Sequence, residues 1–179
     1  MRILAFAASN SSVSINSQLA EYAASLATGI VGEAEVEMLD IHDYEMPLYR
    51  HDREVADGIP KQAHDFLAKI GAADALIVSF CEHNGAYSAA FKNLFDWCSR
   101  VGREVWQGKK MLLLATSPGG RGGQGVLEFA TASAPRFGAE VVGSLSVPSF
   151  GENFDSGAGK LLNKELDGEL RMLVAKLTA

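Results

Sequence analysis

The sequence contains little cysteine and no long apolar run. Two cysteines among 179 residues, Cys81 and Cys98, are too few for a disulfide scaffold, and their separation excludes a C-x-x-C redox or metal pair. No apolar run approaches the roughly 18 residues of a membrane span, and the stretch at residues 3–8 is shorter than a signal-peptide core. We therefore expect buried, reduced thiols, a cytoplasmic location and no membrane partner.

Basic charge is also in short supply. Sixteen Lys and Arg stand against 22 Asp and Glu, which gives a net charge of −6 and leaves no basic run that could hold a phosphate backbone. Nucleic acid is therefore not an expected partner. Apolar residues make up 47% of the chain and charged residues 21%, which is typical of a folded protein rather than a disordered one. The length predicts a single domain over residues 1–179.

Three common catalytic signatures are missing. The sequence contains no G-x-x-x-x-G-K-[ST] phosphate loop, no H-E-x-x-H zinc motif and no G-x-S-x-G nucleophile elbow. These absences exclude, by pattern, the P-loop nucleotidases and the commonest zinc and serine hydrolases. We predict neither a catalytic side chain nor a metal site.

Five apolar runs predict β-strands. The first, third and fourth are continuously apolar, which is typical of strands buried on both faces of a parallel sheet. Helical patterns lie between the runs, so the alternation predicts a doubly wound α/β fold. Its sheet has five parallel strands in the order 2-1-3-4-5, with helices on both faces. The predicted strands are residues 3–8, 34–39, 75–80, 111–116 and 140–147. Ligands bind such sheets at the carboxyl ends of the strands, where the strand order reverses.

Helices are placed from the same pattern. One is predicted over residues 15–28, ending at Gly29, and another begins at Pro60. Leucines repeat at intervals of three and four residues near the end of the chain and predict a last helix that docks through them. These leucines are Leu162, Leu166, Leu170, Leu173 and Leu177. Residues 41–59 and 148–159 are predicted to be irregular.

A further helix, predicted over residues 87–100, has a wide apolar arc. Its apolar residues include Ala89, Ala90, Phe91, Leu94, Phe95, Trp97 and Cys98. Depletion of charge on a surface helix often marks a subunit contact, so one interpretation is a homodimer or homotetramer formed through this helix. The alternative is that the long segment after the second strand covers half of the helix.

The loop after the first strand is dense in small polar side chains. Residues 9–16 read S-N-S-S-V-S-I-N and lead directly into the first helix. Free amides at a helix start, together with hydroxyls, could enclose a dianionic phosphate without any lysine. The alternative is that Ser14 caps the helix while the other residues form a turn. Capping needs only one such residue, so the others remain to be explained.

The loop after the third strand, residues 79–87, offers backbone groups more than side-chain chemistry. Asn84 followed by Gly85 predicts a tight turn with positive φ angles, and an irregular backbone edge there could match a heterocycle. His83 has no second ligand at metal spacing, because the adjacent Glu82 would point elsewhere. A catalytic or metal role for His83 is therefore disfavoured.

The loop after the fourth strand, residues 117–125, is rich in glycine. Gly120, Gly122 and Gly125 match G-x-G-x-x-G, and Glu140 lies at the distance expected of a ribose-binding acid. We reject a dinucleotide fingerprint because that motif belongs to the first strand–helix turn of its unit and Glu140 begins a strand. Glycines here would instead let a flat ligand approach the backbone closely.

Several segments of the chain are similar to sequence patterns that occur together in one protein family. The first loop is similar to G-S-x-R-x-x-S-x-N at Ser9, Ser14 and Asn16, with Ala8 in place of the glycine and Ser11 in place of the arginine. This segment alone is weakly specific, and the loop after the third strand carries more of the likeness.

That loop is similar to P-E-Y-N-G-S-Y-P-G-x-L-K-N-x-x-D-W, with Cys81 in place of the proline and His83 in place of the tyrosine. The retained residues are Glu82, Asn84, Gly85, Tyr87, Lys92, Asn93, Asp96 and Trp97. Residues 117–123 are similar to S-P-G-G-x-x-G, residues 46–49 to L-P-x-Y and residues 150–155 to F-x-x-N-F-D. Together these segments resemble the NADPH-dependent FMN reductase family of flavodoxin-like proteins, which includes quinone, chromate and azo-dye reductases.

The resemblance implies an FMN-dependent oxidoreductase. NADPH or NADH would be the electron donor, and a quinone, free flavin or similar small molecule the acceptor. In the family, the first loop holds the FMN phosphate, the loop after the third strand lines the flavin ring through backbone groups, and the glycine loop closes over the ring. The cofactor-binding residues implied are Ser9, Ser11, Ser14, Ile15, Asn16, Glu82, His83, Asn84, Gly85, Ser117, Pro118, Gly119 and Gly120.

Two alternatives stay open. One is an electron carrier of the flavodoxin type, which binds flavin without being an enzyme; the net charge of −6 gives it modest support. The other is a flavin-free α/β protein whose first loop binds a different phosphorylated ligand, or none. The missing arginine at Ser11 keeps this second alternative open.

Overall fold

The computed structural model describes residues 1–178 and contains the expected parallel sheet. Its strands are β1 (Arg2–Ala7), β2 (Glu35–Leu39), β3 (Ala75–Phe80), β4 (Lys110–Thr116) and β5 (Glu140–Val147). They are hydrogen bonded in the order β2-β1-β3-β4-β5, and every neighbouring pair is parallel. The strand order and fold class are therefore confirmed, and each strand begins and ends within about one residue of the bounds that hydrophobic pattern gave.

Helices pack on both faces of the sheet. They are α1 (Ile15–Ile30), α2 (His51–Asp57), α3 (Lys61–Ala72), α4 (Ala89–Val101), α5 (Gln124–Ser133), α6 (Phe150–Asn153) and α7 (Lys164–Ala175). Along β1, Leu4 and Phe6 join a core shared with α3, α4 and α5, whereas Ile3 and Ala5 join a core shared with α1 and α7. The expected two-sided packing is confirmed. No helix within residues 1–178 is both long enough and apolar enough to cross a membrane.

Several expected boundaries were wrong. Helix α1 continues through Gly29 to Ile30, and its last turn closes where the Val31 N–H donates to the carbonyl of Ala27 at 2.9 Å. Residues 41–59 are not irregular, because they contain a 3-10 helix, Ile41–Tyr44, and α2. Residues 148–159 contain α6 and the strand β6 (Phe154–Asp155), which pairs with β7 (Lys160–Leu161). Elements this short carry too few residues for a hydrophobic period to reveal them.

The last helix docks through only part of its leucine series. Leu170, Leu173 and Leu177 are buried, as expected. Leu162 is 52% exposed and precedes the helix. The reason is the cap: the side chain of Asn163 accepts hydrogen bonds from the first helical N–H groups, so α7 begins only at Lys164.

The loop after β2 covers part of α4. Trp97 Nε1 donates to the carbonyl of Pro47 at 2.8 Å. Asn93 Nδ2 donates to the carbonyl of Met46 at 3.0 Å, and Asn93 Oδ1 accepts from the Tyr49 N–H at 2.8 Å. The ring of Tyr49 lies edge-on to that of Trp97, with centroids 5.0 Å apart. This loop therefore covers part of the apolar arc of α4, as the second interpretation expected.

Candidate functional site

The loops after β1 and β3 are joined at one residue beyond the end of β1. The Ala8 N–H donates to the carbonyl of Ser79 at 2.8 Å. The Ala8 carbonyl accepts from Ser88 Oγ at 2.9 Å and from Cys81 Sγ at 3.2 Å. Because the strands are parallel, their carboxyl ends share one edge of the sheet, and these bonds fix the two loops there.

The first loop is a series of turns closed by its own serines. Ser9 Oγ accepts from the Ser11 N–H at 3.3 Å, and Ser11 Oγ accepts from the Val13 N–H at 3.4 Å. Ser14 Oγ accepts from the Ser17 N–H at 3.1 Å, so Ser14 is the N-cap of α1, as one of the two interpretations expected. In each bond the hydroxyl oxygen is the acceptor, which leaves its O–H free to donate to a ligand.

Backbone donors complete this loop. Within residues 1–178, the N–H groups of Ile15 and Asn16 have no hydrogen-bond partner, as is normal in the first turn of a helix. They carry the partial positive charge of the helix start and suit an anion. The capping and anion-binding interpretations are therefore compatible, because capping uses the serine oxygens and an anion would use the free hydrogens.

The side chain of Asn16 faces the protein interior. Asn16 is 2% exposed. Its Oδ1 accepts from Ser79 Oγ at 2.8 Å and from the Thr116 N–H at 3.1 Å, and its Nδ2 donates to the Thr116 carbonyl at 3.2 Å. This amide ties the start of α1 to the ends of β3 and β4. Any contact between Asn16 and a ligand would therefore come from its backbone N–H.

The loop after β3 contains the expected tight turn. Asn84 has φ of 55° and Gly85 has φ of 78°. His83 and Ala86 exchange two backbone hydrogen bonds, of 3.0 and 3.1 Å, which makes a two-residue hairpin of the type that Asn-Gly favours. His83 therefore serves this turn through its backbone. Residues 1–178 contain no group of three His, Cys, Asp or Glu side chains placed to hold a metal ion.

An aromatic cluster centred on Tyr87 packs beside the turn after β3. Tyr87 stacks on Phe80 with ring centroids 5.3 Å apart, and it meets Phe91 and Phe129 edge-on at 5.1 Å each. Its hydroxyl lies 3.3 Å from Ser133 Oγ. Burial raises the pKa of Tyr87, so the phenol stays protonated at neutral pH. This packing fixes the turn against α4 and α5.

Part of the glycine loop packs against protein rather than facing solvent. A Cβ at Gly122, where φ is 58°, would lie 2.8 Å from the backbone nitrogen of Pro148. A Cβ at Gly125 would lie 2.5 Å from Glu82 Oε1. These glycines allow close approach of the loop after β5 and of the Glu82 carboxylate. Both glycines therefore have a packing role between loops.

The other glycines border an open cleft. A Cβ at Gly119 or Gly120 would meet nothing within 4 Å. The cleft has a volume of about 530 Å³ and lies between the turn after β3 and the loop after β4. It is lined by Glu82, Asn84, Gly85, Ser117, Gly119, Gly120 and Arg121. The structure thus brings together most of the residues expected at a flavin ring, whereas His83 and Pro118 do not line the cleft.

One residue of this cleft was missed by the sequence reasoning. Arg121 lines it and is exposed, and its side chain forms no ion pair or hydrogen bond within residues 1–178. Arg121 occupies a position at which the pattern S-P-G-G-x-x-G allows any residue, so the pattern did not predict a role for it. The signal available in the sequence was a single cation in a loop otherwise made of Ser, Pro, Gly and Gln.

Comparison with known proteins identifies the family. The sequence profile described as NADPH-dependent FMN reductase matches residues 1–155, which is most of the chain. The chain belongs to the NADPH-dependent FMN reductase family. The resemblance drawn from the loops is therefore confirmed, and FMN with NADPH or NADH agrees with this family's chemistry. The assignment of individual residues to FMN stays a prediction.

Individual relatives agree with the family. A probable NADPH:quinone oxidoreductase 2 from Oryza sativa subsp. japonica is 31% identical over 123 residues, which cover 69% of this chain and 59% of the rice protein. A quinone reductase from Escherichia coli strain K12 is 28% identical over 123 residues, which cover 63% of this chain and 65% of that protein. The match thus spans less than two thirds of either relative.

A solved structure shows the same fold over the full length. FerB from Paracoccus denitrificans, described as a flavoenzyme NAD(P)H:(acceptor) oxidoreductase, has a TM-score of 0.75 with this chain at 24% identity. The match covers 98% of this chain and 96% of FerB. The flavodoxin-like fold expected from sequence is therefore confirmed.

Proposed function

We propose that this protein is an oxidoreductase that binds FMN at the carboxyl edge of its sheet and uses it to carry electrons from NADPH or NADH to a quinone, a free flavin or a similar small acceptor. The observation that carries this proposal is the open cleft between the Asn84–Gly85 turn and the glycine loop, at the same sheet edge as the serine loop. The names of the relatives, which include a quinone reductase, support the class of acceptor.

The residues present fit the phosphate of FMN. The first loop offers the free O–H groups of Ser9, Ser11 and Ser14, and the first turn of α1 adds the N–H groups of Ile15 and Asn16. A hydrogen bond to a charged group contributes roughly 1.5–3 kcal/mol, so several of them can hold a dianion where the family has an arginine.

The flat ring of the flavin fits the cleft. Gly119 and Gly120 have no side chain to obstruct a planar group, and nothing else fills the space beside them. Asn84 and Gly85 present a rigid backbone edge, because the hairpin bonds and the aromatic packing of Tyr87 hold it in place. We assign the turn to the ring's polar edge and the glycine loop to its opposite side.

The protein contributes orientation and exclusion of water rather than acid–base chemistry. Bound FMN would supply the two-electron redox chemistry between NAD(P)H and the acceptor. The chain's part is to hold the ring with one face accessible, so that donor and acceptor can use the same face in turn. No side chain of residues 82–85 or 117–120 is required as a base.

An absorbance spectrum and steady-state kinetics test this proposal. Purified protein incubated with excess FMN and then desalted is expected to retain the flavin spectrum. Initial rates with NADPH and 1,4-benzoquinone varied together are expected to give parallel double-reciprocal lines, because the donor leaves before the acceptor binds. Intersecting lines would contradict the shared face.

The alternatives predict different results. A protein that binds FMN but oxidises neither NADPH nor NADH would be a carrier of the flavodoxin type. A protein that stays colourless after incubation with FMN would contradict the proposal and support a flavin-free function.

We further propose that the protein works in the cytoplasm as a homodimer or homotetramer formed through α4. Leu48 is 75% exposed and lines a cleft of about 340 Å³ together with Ala89 and Ala90 of α4. An apolar surface there would gain from burial against a second copy. Sedimentation velocity is expected to show an oligomer that Leu48→Glu weakens, and a monomer at tens of micromolar protein would contradict it.

A further inference from the structure

Arg121 stands between two clefts of similar size. The first is the cleft described above, of about 530 Å³. The second also measures about 530 Å³ and lies on the other side of the glycine loop, where Gln124, Ser146, Pro148 and Leu166 form part of its wall. Gly120 and Arg121 line both clefts. The two clefts are therefore adjacent, and Gly120 and Arg121 form the ridge between them.

The ridge is the cationic point of this surface. Among the residues that line either cleft, Arg121 is the one cation, and the carboxylates are Glu82 and Glu128. A Cβ at Gly125 would lie 3.9 Å from Arg121 Nη2 and 2.5 Å from Glu82 Oε1, so both side chains reach the start of α5. Neither carboxylate forms an ion pair with Arg121 within the described chain. The guanidinium is therefore free to bind an anion from solvent.

We propose that Arg121 binds the pyrophosphate of the nicotinamide dinucleotide donor, whose adenosine half occupies the second cleft. This inference rests on the proposed function, which places the flavin ring in the first cleft with one face accessible, so that the nicotinamide would stack on that face. A dinucleotide has two flat halves joined by an anionic bridge, and this shape matches two clefts joined at an arginine. Arginine suits that bridge because its planar fork can donate two parallel hydrogen bonds to phosphate oxygens. Leu166 and Pro148 give the second cleft an apolar wall for the adenine ring.

Steady-state kinetics of Arg121→Ala test the assignment. The KM for NADH and the KM for NADPH are both expected to rise about tenfold, because the pyrophosphate is common to the two donors. The kcat is expected to change little, since Arg121 takes no part in hydride transfer. Arg121→Lys is expected to recover part of the loss. The matched control is Arg103→Ala, which removes another exposed arginine, between α4 and β4 at the opposite edge of the sheet.

A binding measurement separates this inference from the proposed function. Calorimetric titration uses ADP-ribose, which carries the pyrophosphate and adenosine but no nicotinamide, with and without FMN on the protein. Arg121→Ala is expected to raise the Kd for ADP-ribose about tenfold. Gln124→Glu, which adds an anion beside Glu128 in the second cleft, is expected to raise this Kd severalfold.

The kinetic and binding results distinguish failure of the Arg121 assignment from failure of the proposed function. Unchanged KM values in Arg121→Ala, an equal effect in Arg103→Ala, or a rise confined to NADPH would overturn the pyrophosphate assignment while leaving the enzyme an FMN reductase. An unchanged Kd for ADP-ribose in Gln124→Glu would overturn the assignment of the second cleft to adenosine. Wild-type protein that binds no FMN and oxidises no NAD(P)H would instead overturn the proposed function.

Discussion

Replacement of Asn16 by Ala tests how the site is held together. The wild-type amide makes three hydrogen bonds, two to the backbone of Thr116 and one to Ser79 Oγ, and all of them are buried. A buried hydrogen bond contributes about 1 kcal/mol net, and partners left unsatisfied in the interior add to the loss. We therefore expect Asn16→Ala to lower the free energy of unfolding by about 3 kcal/mol. For a chain of this length, that corresponds to a fall in Tm of roughly 6–12 °C.

Urea unfolding followed by circular dichroism measures this change. The midpoint is expected to fall while the slope m stays constant, because the surface exposed on unfolding is the same. The matched control is Asn10→Ala, which removes an exposed amide from the same loop and is expected to change the free energy by no more than about 0.5 kcal/mol. A loss below about 1 kcal/mol in Asn16→Ala would refute the reasoning that this amide ties α1 to β3 and β4.

Asn16→Asp separates the donor from the acceptor bonds. The carboxylate keeps the bonds from Ser79 Oγ and the Thr116 N–H but faces the Thr116 carbonyl without a hydrogen to donate. Its destabilisation is expected to be smaller at pH 4 than at pH 7, because only a protonated carboxyl can donate to that carbonyl. An equal loss at both pH values would show that the Nδ2 bond contributes little.

Three further predictions use the same measurements. Gly122→Ala is expected to destabilise the fold by about 1–3 kcal/mol, since its Cβ would collide with the loop after β5, whereas Gly119→Ala, which meets open space, is expected to cost no more than about 0.5 kcal/mol. Ser11→Arg, which supplies the arginine of the family pattern, is expected to lower the Kd for FMN roughly tenfold, measured by quenching of flavin fluorescence. Burial opposes ionisation of Asp167, but hydrogen bonds from Arg171 and Tyr22 outweigh this effect and lower the pKa of the carboxyl. Ionised Asp167 therefore stabilises the folded state above its unfolded pKa of about 3.9, and this stabilisation is lost as the pH falls below that value. In Asp167→Asn, the midpoint of urea unfolding is expected to depend less on pH in that range.

Contrary results would have clear meanings. Equal costs at positions 122 and 119 would show that the glycine loop moves freely away from the loop after β5. Weaker FMN binding in Ser11→Arg would place the phosphate away from the first loop. Parallel acid profiles of wild type and Asp167→Asn would show that the Asp167–Arg171 bond contributes nothing to stability in solution.

The sequence by itself determined the sheet, the local turns and the family. Continuous apolar runs identified β1, β3 and β4, because burial on both faces requires apolar side chains at successive positions. Asn84 and Gly85 determined their turn because positive φ angles restrict the residue types that can adopt them. These features depend on neighbours in the chain or on a pattern repeated within a short window, so they can be read before folding is considered.

Only the tertiary structure decided what individual polar residues do. The Asn16 amide was assigned by composition to a phosphate loop, yet its partners lie 63 and 100 residues further along the chain. The sequence shows glycine at positions 122 and 125 but not why a side chain is excluded there, because the nearest atoms that a Cβ would meet belong to distant segments of the chain. Arg121 became a candidate only when two clefts were seen to meet at it. Such roles arise from single contacts between distant segments, and no hydrophobic period or local propensity records them.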